Sequence, residues 1–260
     1  MNIEEIRGDW RMGGLTSLAN HVPANYPRGP SFNPGDIVGL SSMTEMPDGQ
    51  WLSFFTPDTT VMALSVAFRS VIREKVLMPK ILYSCTPSPE GPAMSVATTD
   101  LEFLYDYFEH RTMSVIFSFQ AIESFCNLNI GKNVTDKFRI KRNKKKYDLM
   151  SADDLERNLS TSQKLSDVLP KILDVPTPKG KSVWGDYKKL KRARDAAVHI
   201  KSHDQQMAGR KATENSSDFL YFNFLKYSIA EYPQAAVDMI RYFVKEDDQP
   251  RWLNKLAYHD

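Results

Sequence analysis

Cysteine is scarce in this chain. There are two among 260 residues, Cys85 and Cys126, with no CxxC pair and no histidine close to either. That argues against a disulfide-stapled scaffold and against a thiolate zinc site, and both read as small core residues in a reducing cytoplasm. Long apolar runs are absent too. None approaches the ~18 residues a membrane span requires, and the opening MNIEEIRGDW is acidic and polar, unlike a secretory leader. The expectation is a cytoplasmic chain without membrane contact. Also missing are G-x-S-x-G, a phosphate-loop motif, G-x-G-x-x-G and H-E-x-x-H, so the common nucleophile, nucleotide and zincin signals are lacking. His199 and His203 lie four apart with Asp204 next, which would place two metal ligands on one helix face. No glutamate completes that arrangement, and neither metal nor cofactor is expected.

What is present is ordinary in bulk and uneven in distribution. Hydrophobic residues make up 42% and charged residues 25%, the range of globular proteins with a sizeable core. The formal net charge is only +2. Yet residues 132–201 hold 19 of the 34 Lys and Arg and 9 of the 32 Asp and Glu, a local net of +10. The densest part is KFRIKRNKKK, residues 137–146. Such asymmetry suits either a face for phosphates and nucleic acid or a solvated charged loop.

Residues 1–98 read as a partly irregular N-terminal region with short strands and one helix. Residues 1–35 are rich in Gly, Pro and Asn. PDG at 47–49 separates IVGLSSMTEM from QWLSFF as in a hairpin, although the first arm alternates poorly. A helix is expected from about Thr59 to 77, then a Pro-rich loop with one short strand through 98. Residues 99–245 read as four antiparallel helices. The first opens at a capping-box spacing, Thr99 and Glu102, and stops near Gly131. A basic loop follows. Ser151 caps a second helix that has Pro170 near its end. The third carries Arg194 and His199. The fourth, from Asp218 to about Lys245, should kink or split at Pro233. Residues 246–260 form a tail. The fold class is thus mainly α.

Two of these helices place polar groups where apolar ones belong. In the third, Val183, Tyr187, Leu190, Arg194 and Ala197 form one stripe at spacings of four, three, four and three. A guanidinium there needs partners, because burying an unpaired charge is costly. In the first, Glu123 and Asn127 share a stripe with Ile116 and Phe119. The economical inference is that the two helices pack together and that Glu123 or Asn127 meets Arg194. Read structurally, this is a buried ion pair and nothing more. His199 adds chemistry: histidine can move a proton near neutral pH, and an arginine stabilises extra charge on phosphorus.

These residues resemble the signature of the HEPN superfamily, R-x(4–6)-H with a polar residue after the arginine: here Arg194, Asp195 and His199. Ala121-Ile122-Glu123-Ser124-Phe125-Cys126-Asn127 is similar to that family's A-x-E-x-x-x-N pattern, and Lys164-Leu165 and a long last helix also match. The resemblance spans about residues 99–245. It implies a C-terminal four-helix bundle that dimerises and, in many members, a metal-independent ribonuclease in host defence or a toxin–antitoxin pair. Arg194 and His199 would be the catalytic pair, aided by Asp195, Glu123 and Asn127. A subfamily places Tyr two residues after the His; here Lys201 stands there.

The expected function is therefore endoribonucleolytic cleavage through the 2′-hydroxyl, leaving 2′,3′-cyclic phosphate ends. RNA would be attracted by Lys141, Arg142, Lys144, Lys145, Lys146, Lys188, Lys189, Lys191 and Arg192. Expected partners are RNA, a second copy of the chain and an inhibitor or antitoxin protein. The alternative is a catalytically silent helical module that binds RNA or a protein.

Overall fold

The carboxylate of Asp58 marks where the chain turns helical. Its Oδ1 accepts from the backbone N–H groups of Thr60 and Val61 at 2.8 and 3.1 Å, which satisfies two donors that a helix start leaves without partners. The computed structural model describes residues 9–13, 16–17, 21, 31, 33–39, 41–87, 94–141, 147–200, 220–226, 228, 230–245, 250 and 252–253. The chain is mainly helical, with four two-stranded antiparallel pairs among the described residues. It divides into two compact units, residues 1–62 with 248–260, and residues 63–247.

In the first unit, β1 (Thr16–Ser17) pairs with β2 (Ile37–Val38). The PDG segment closes the hairpin of β3 (Ser41–Glu45) and β4 (Trp51–Phe55). Gly49 takes φ +82°, the left-handed conformation that glycine adopts without strain. The Gly49 N–H donates to the Met46 carbonyl at 2.8 Å.

The helix α1 (Thr59–Tyr83) supplies most of its length to the second unit. It runs past the expected end near 77 and through Pro79. A proline inside a helix costs ~3 kcal/mol. Leu77 and Ile81 bury against Tyr107 on either side of it, and at about 1.5–3 kcal/mol per apolar side chain that burial offsets the loss. β5 (Cys85–Pro87) and β6 (Met94–Val96) form a short pair. A 3₁₀ turn, Thr98–Asp100, leads into α2 (Leu101–Asn133) without a side-chain cap, so the expected capping box is not formed. Gly131 lies inside α2 rather than ending it.

The stretch expected to be a basic loop contains a hairpin of β7 (Phe138–Lys141) and β8 (Tyr147–Met150). The second expected helix breaks into pieces. Ser151 and Asp154 make a capping box at α3 (Ala152–Asn158), and Ser160 and Gln163 make another at α4 (Thr161–Gln163). A π-helical turn, Lys164–Val168, passes into α5 (Leu169–Ile172), where Pro170 stands in the first turn and needs no donor. α6 spans Ser182–Val198. The last expected helix is split into α7 (Leu220–Lys226) and α8 (Glu231–Phe243), with Pro233 in the first turn of α8. The core of this unit lies along α2. Ile122, Cys126 and Ile130 are fully buried there, as are Leu165 and Leu169, Tyr187 and Leu190 of α6, and Met239 and Ile240 of α8. α2 packs on both α6 and α8, and those two pack on each other.

Candidate functional site

The apolar stripe of α6 faces inward: Tyr187 and Leu190 are fully buried and Ala197 nearly so. Arg194, on the same stripe, is 26% exposed in its side chain. Its guanidinium carbon sits 4.0 Å from the centroid of the Phe119 ring on α2, within reach of a cation–π attraction of about 0.5–2 kcal/mol. Phe119 in turn stacks on Tyr187, with ring centroids 6.2 Å apart and planes 21° from parallel. Tyr187 is anchored at its hydroxyl, 2.8 Å from Ser162 Oγ. Burial pushes that phenol up to about 12, against the opposing pull of the Ser162 hydrogen bond. Guanidinium, Phe119 and Tyr187 thus form a layered seat for the arginine. Among the described residues, Arg194 Nε is buried without a hydrogen-bond partner.

Asp195 is the acid that Arg194 meets, at 3.1 Å between Nη1 and Oδ1. The other carboxylate oxygen of Asp195 accepts from Lys191 Nζ at 2.6 Å. The acid therefore bridges two cations, and Lys191, expected to face RNA, is engaged within α6. His199 is not in the helix. It is the capping residue just beyond Val198, with φ −112° and ψ 63°, and its N–H donates to the Asp195 carbonyl at 2.9 Å. Its side chain is exposed. The structure thus brings Arg194, Asp195 and Lys191 together and leaves His199 in solvent at the end of the same helix.

Glu123 and Asn127 do not serve Arg194. Glu123 Oε1 accepts from Thr161 Oγ1 at 3.3 Å. Asn127 Oδ1 accepts from Lys164 Nζ at 2.8 Å, and the same ammonium donates to the Glu156 carbonyl at 2.6 Å. Lys164 is 1% exposed, so these bonds hold a buried cation at the first residue of the π-helical turn. Cys126 beside them is fully buried, and burial pushes its thiol up, Lys164 opposing. An inert thiol follows.

Of the residues expected to attract RNA, Lys188 and Arg192 are exposed on α6, and Lys141 is exposed at the end of β7. Lys189 pairs with Asp186 at 3.3 Å and Glu231 at 3.4 Å. Arg142, Lys144, Lys145 and Lys146 lie outside the described residues, as do Lys201, His203 and Asp204.

A second charged group went unread in the sequence. Arg111 of α2 and Glu74 of α1 are fully buried and paired at 3.1 Å between Nη1 and Oε2. Arg111 Nη2 donates to the Ser228 carbonyl at 2.8 Å, and its guanidinium carbon lies 4.8 Å from the Tyr232 ring centroid. Tyr107, one turn earlier, donates its hydroxyl to the Phe224 carbonyl at 3.1 Å. Desolvation pushes the Glu74 carboxyl up to about 7, although the charge and hydrogen bond of Arg111 pull it down. The signal was the one that exposed Arg194: Leu104, Phe108, Arg111 and Val115 run at spacings of four, three and four, with a cation in an apolar slot. Compared with protein-family models, with curated proteins and with solved structures, the chain has no match.

Proposed function

We propose that residues 99–245 form a HEPN-type endoribonuclease, with α2, the α3–α5 segment, α6 and the α7–α8 pair as its four-helix bundle. The observation that carries this reading is the end of α6. There a guanidinium is seated on Phe119 with an acid beside it, and an exposed imidazole follows at the helix terminus. Arginine in such a seat is a fixed cation for the scissile phosphate. The His199 imidazole would take the proton of the ribose 2′-hydroxyl. The 2′-oxygen then bonds to phosphorus, and the 5′-oxygen leaves and gains a proton. The products are a 2′,3′-cyclic phosphate and a 5′-hydroxyl. One histidine cannot serve both ends of one step, so the reading includes a homodimer in which the second copy's histidine supplies the acid. Exposed Lys188 and Arg192 would draw RNA to that end.

A silent RNA- or protein-binding module is the second reading. It is favoured by the engagement of Arg194 with Phe119 and Asp195, which needs no substrate to explain it. The deciding experiment is incubation of the chain with RNA in excess EDTA, wild type against His199→Ala and Arg194→Ala. Cleavage lost in both variants, with cyclic phosphate ends in the wild type, supports the nuclease. Binding without cleavage supports the silent module. Cleavage unchanged in both variants removes this site from consideration.

A further inference from the structure

α6 carries two acids, Asp186 and Asp195, and both are engaged by cations of their own helix. Asp186 pairs with Lys189, and Asp195 bridges Lys191 and Arg194. The outward face is left with charge of one sign. Lys181, the residue before the helix, is followed by Gly185, Lys188 and Arg192 at spacings of four, three and four. On an ideal helix these positions fall within about 60° of arc. The three cations are exposed, and among the described residues none of them meets a carboxylate. Arg192 Nε donates back to the Lys188 carbonyl at 3.3 Å, which lays its side chain along the line. Seven residues further on, the His199 N–H still closes a helical bond to the Asp195 carbonyl at 2.9 Å. The exposed histidine therefore continues the same line. Gly185 is its unexpected member, since glycine inside a helix costs about 0.5–1 kcal/mol against alanine. Apart from its chain neighbours and its own helical backbone, nothing lies within 4 Å of where a Cβ would stand. Neither packing nor backbone conformation calls for glycine there, and an open step separates Lys181 from Lys188.

We propose that this face of α6 is a track for the sugar–phosphate backbone of a single RNA strand. The strand runs from His199 past Arg192 and Lys188, crosses closely over Gly185 and ends at Lys181. The inference rests on the reading that the end of α6 handles RNA, and it adds the path by which the strand leaves that end. Charge and shape select the occupant. The line holds no apolar side chain, so neither a partner helix nor a membrane surface finds the face it buries. Duplex RNA is gripped across a groove through phosphates of both strands, and a single row of cations on a convex helix serves one strand. A missing side chain in that row lets a ligand's backbone come close to the helix, a use to which glycine is suited.

The test uses the full chain and a labelled 2′-O-methyl RNA strand, which has no free 2′-hydroxyl and so reports binding without cleavage, read by fluorescence anisotropy. Lys181→Gln, Lys188→Gln and Arg192→Gln together should lower the salt slope of binding by about two, at about 0.7 per phosphate contact on a single strand. Gly185→Leu should weaken binding about tenfold. It should hold or raise the melting temperature, because leucine is the better helix former, and that separates blocking from misfolding. The same sequence as a duplex, and poly-glutamate, should each bind at least about tenfold more weakly than the single strand. An unchanged slope in the glutamine variant, unchanged affinity in Gly185→Leu, or equal binding of the duplex or of poly-glutamate overturns the track. Binding that depends on these residues in a chain that cleaves no unmodified RNA keeps the track and removes the nuclease. Cleavage by the wild type with binding indifferent to them keeps the nuclease and removes the track.

Discussion

Replacing Glu74 by glutamine tests whether desolvation or ion pairing governs the buried centre between α1 and α2. Both side chains of the pair are fully buried, and among the described residues Glu74 Oε1 has no hydrogen-bond partner. Moving the carboxyl from its ordinary 4.5 to about 7 corresponds to about 3 kcal/mol between its two protonation states. The sign follows from proton binding. Below the unfolded value both the folded and the unfolded chain hold the proton, and the stabilisation is fully present. Between that value and about 7 only the folded chain holds it, so stability falls as pH rises through the window. Wild type should therefore melt lower at about pH 8 than at about pH 5, by roughly 6–12 °C from this group, at about 2–4 °C per kcal/mol. Glu74→Gln keeps the shape and cannot ionise, so it should remove this part of the slope and match or exceed wild type at the higher pH. The assay is thermal denaturation of both chains across that range. A melting difference between the two that does not change with pH refutes the reasoning. A wild type that gains on the variant as pH rises shows that the attraction of Arg111 outweighs desolvation.

Phe119→Leu keeps an apolar filler but removes the π face under Arg194, so RNA cleavage at saturating substrate should drop about two- to thirtyfold; an unchanged rate means the ring does not seat the arginine. Asn127→Ala should destabilise the fold by about 1–3 kcal/mol in denaturant titration, since Lys164 stays buried with one fewer acceptor. Lys164→Met should cost less than Asn127→Ala, because it removes the charge itself; the reverse order would show that the ammonium is needed for more than its own satisfaction. Lys144, Lys145 and Lys146 changed together to Ser should weaken RNA binding and reduce its salt slope by up to about three; an unaltered slope assigns the run to solvent.

Inference from apolar periodicity found the packing of α2 on α6 and missed the contact that Arg194 makes there. A stripe of steps of four turns about 40° per step around a straight helix. On α2 it faces Tyr187 and Arg194 at Phe119, and by Glu123 and Asn127 it has rotated onto Thr161 and Lys164. The assumption that a buried cation seeks an acid also overlooked the aromatic ring as a partner. Pro233 signalled two helices in place of one, but it stands in the first turn of the second, which begins at Glu231, because proline is accepted in a first turn. The hairpin at 138–150 was hidden by its charges: in KFRIKRNKKKYDLM the alternation rests on little more than Phe138 and Ile140. Glu74 and Arg111 were legible by the rule applied to Arg194, and their meeting was not. They lie 37 residues apart on different helices, and no local spacing links them.

The carbonyls that α2 borrows from the far end of its unit have a consequence for biogenesis. Tyr107 and Arg111 each reach 117 residues along the chain, to Phe224 in α7 and to Ser228. The two donors are made early in translation and their acceptors late. A nascent chain released before Phe224 would hold a phenol and a guanidinium facing inward with those acceptors missing, a debt of about 1–3 kcal/mol for each. Phe224 and Ser228 thus complete a polar lining that α1 and α2 cannot close alone, and nonsense products ending in α6 should be protease-sensitive.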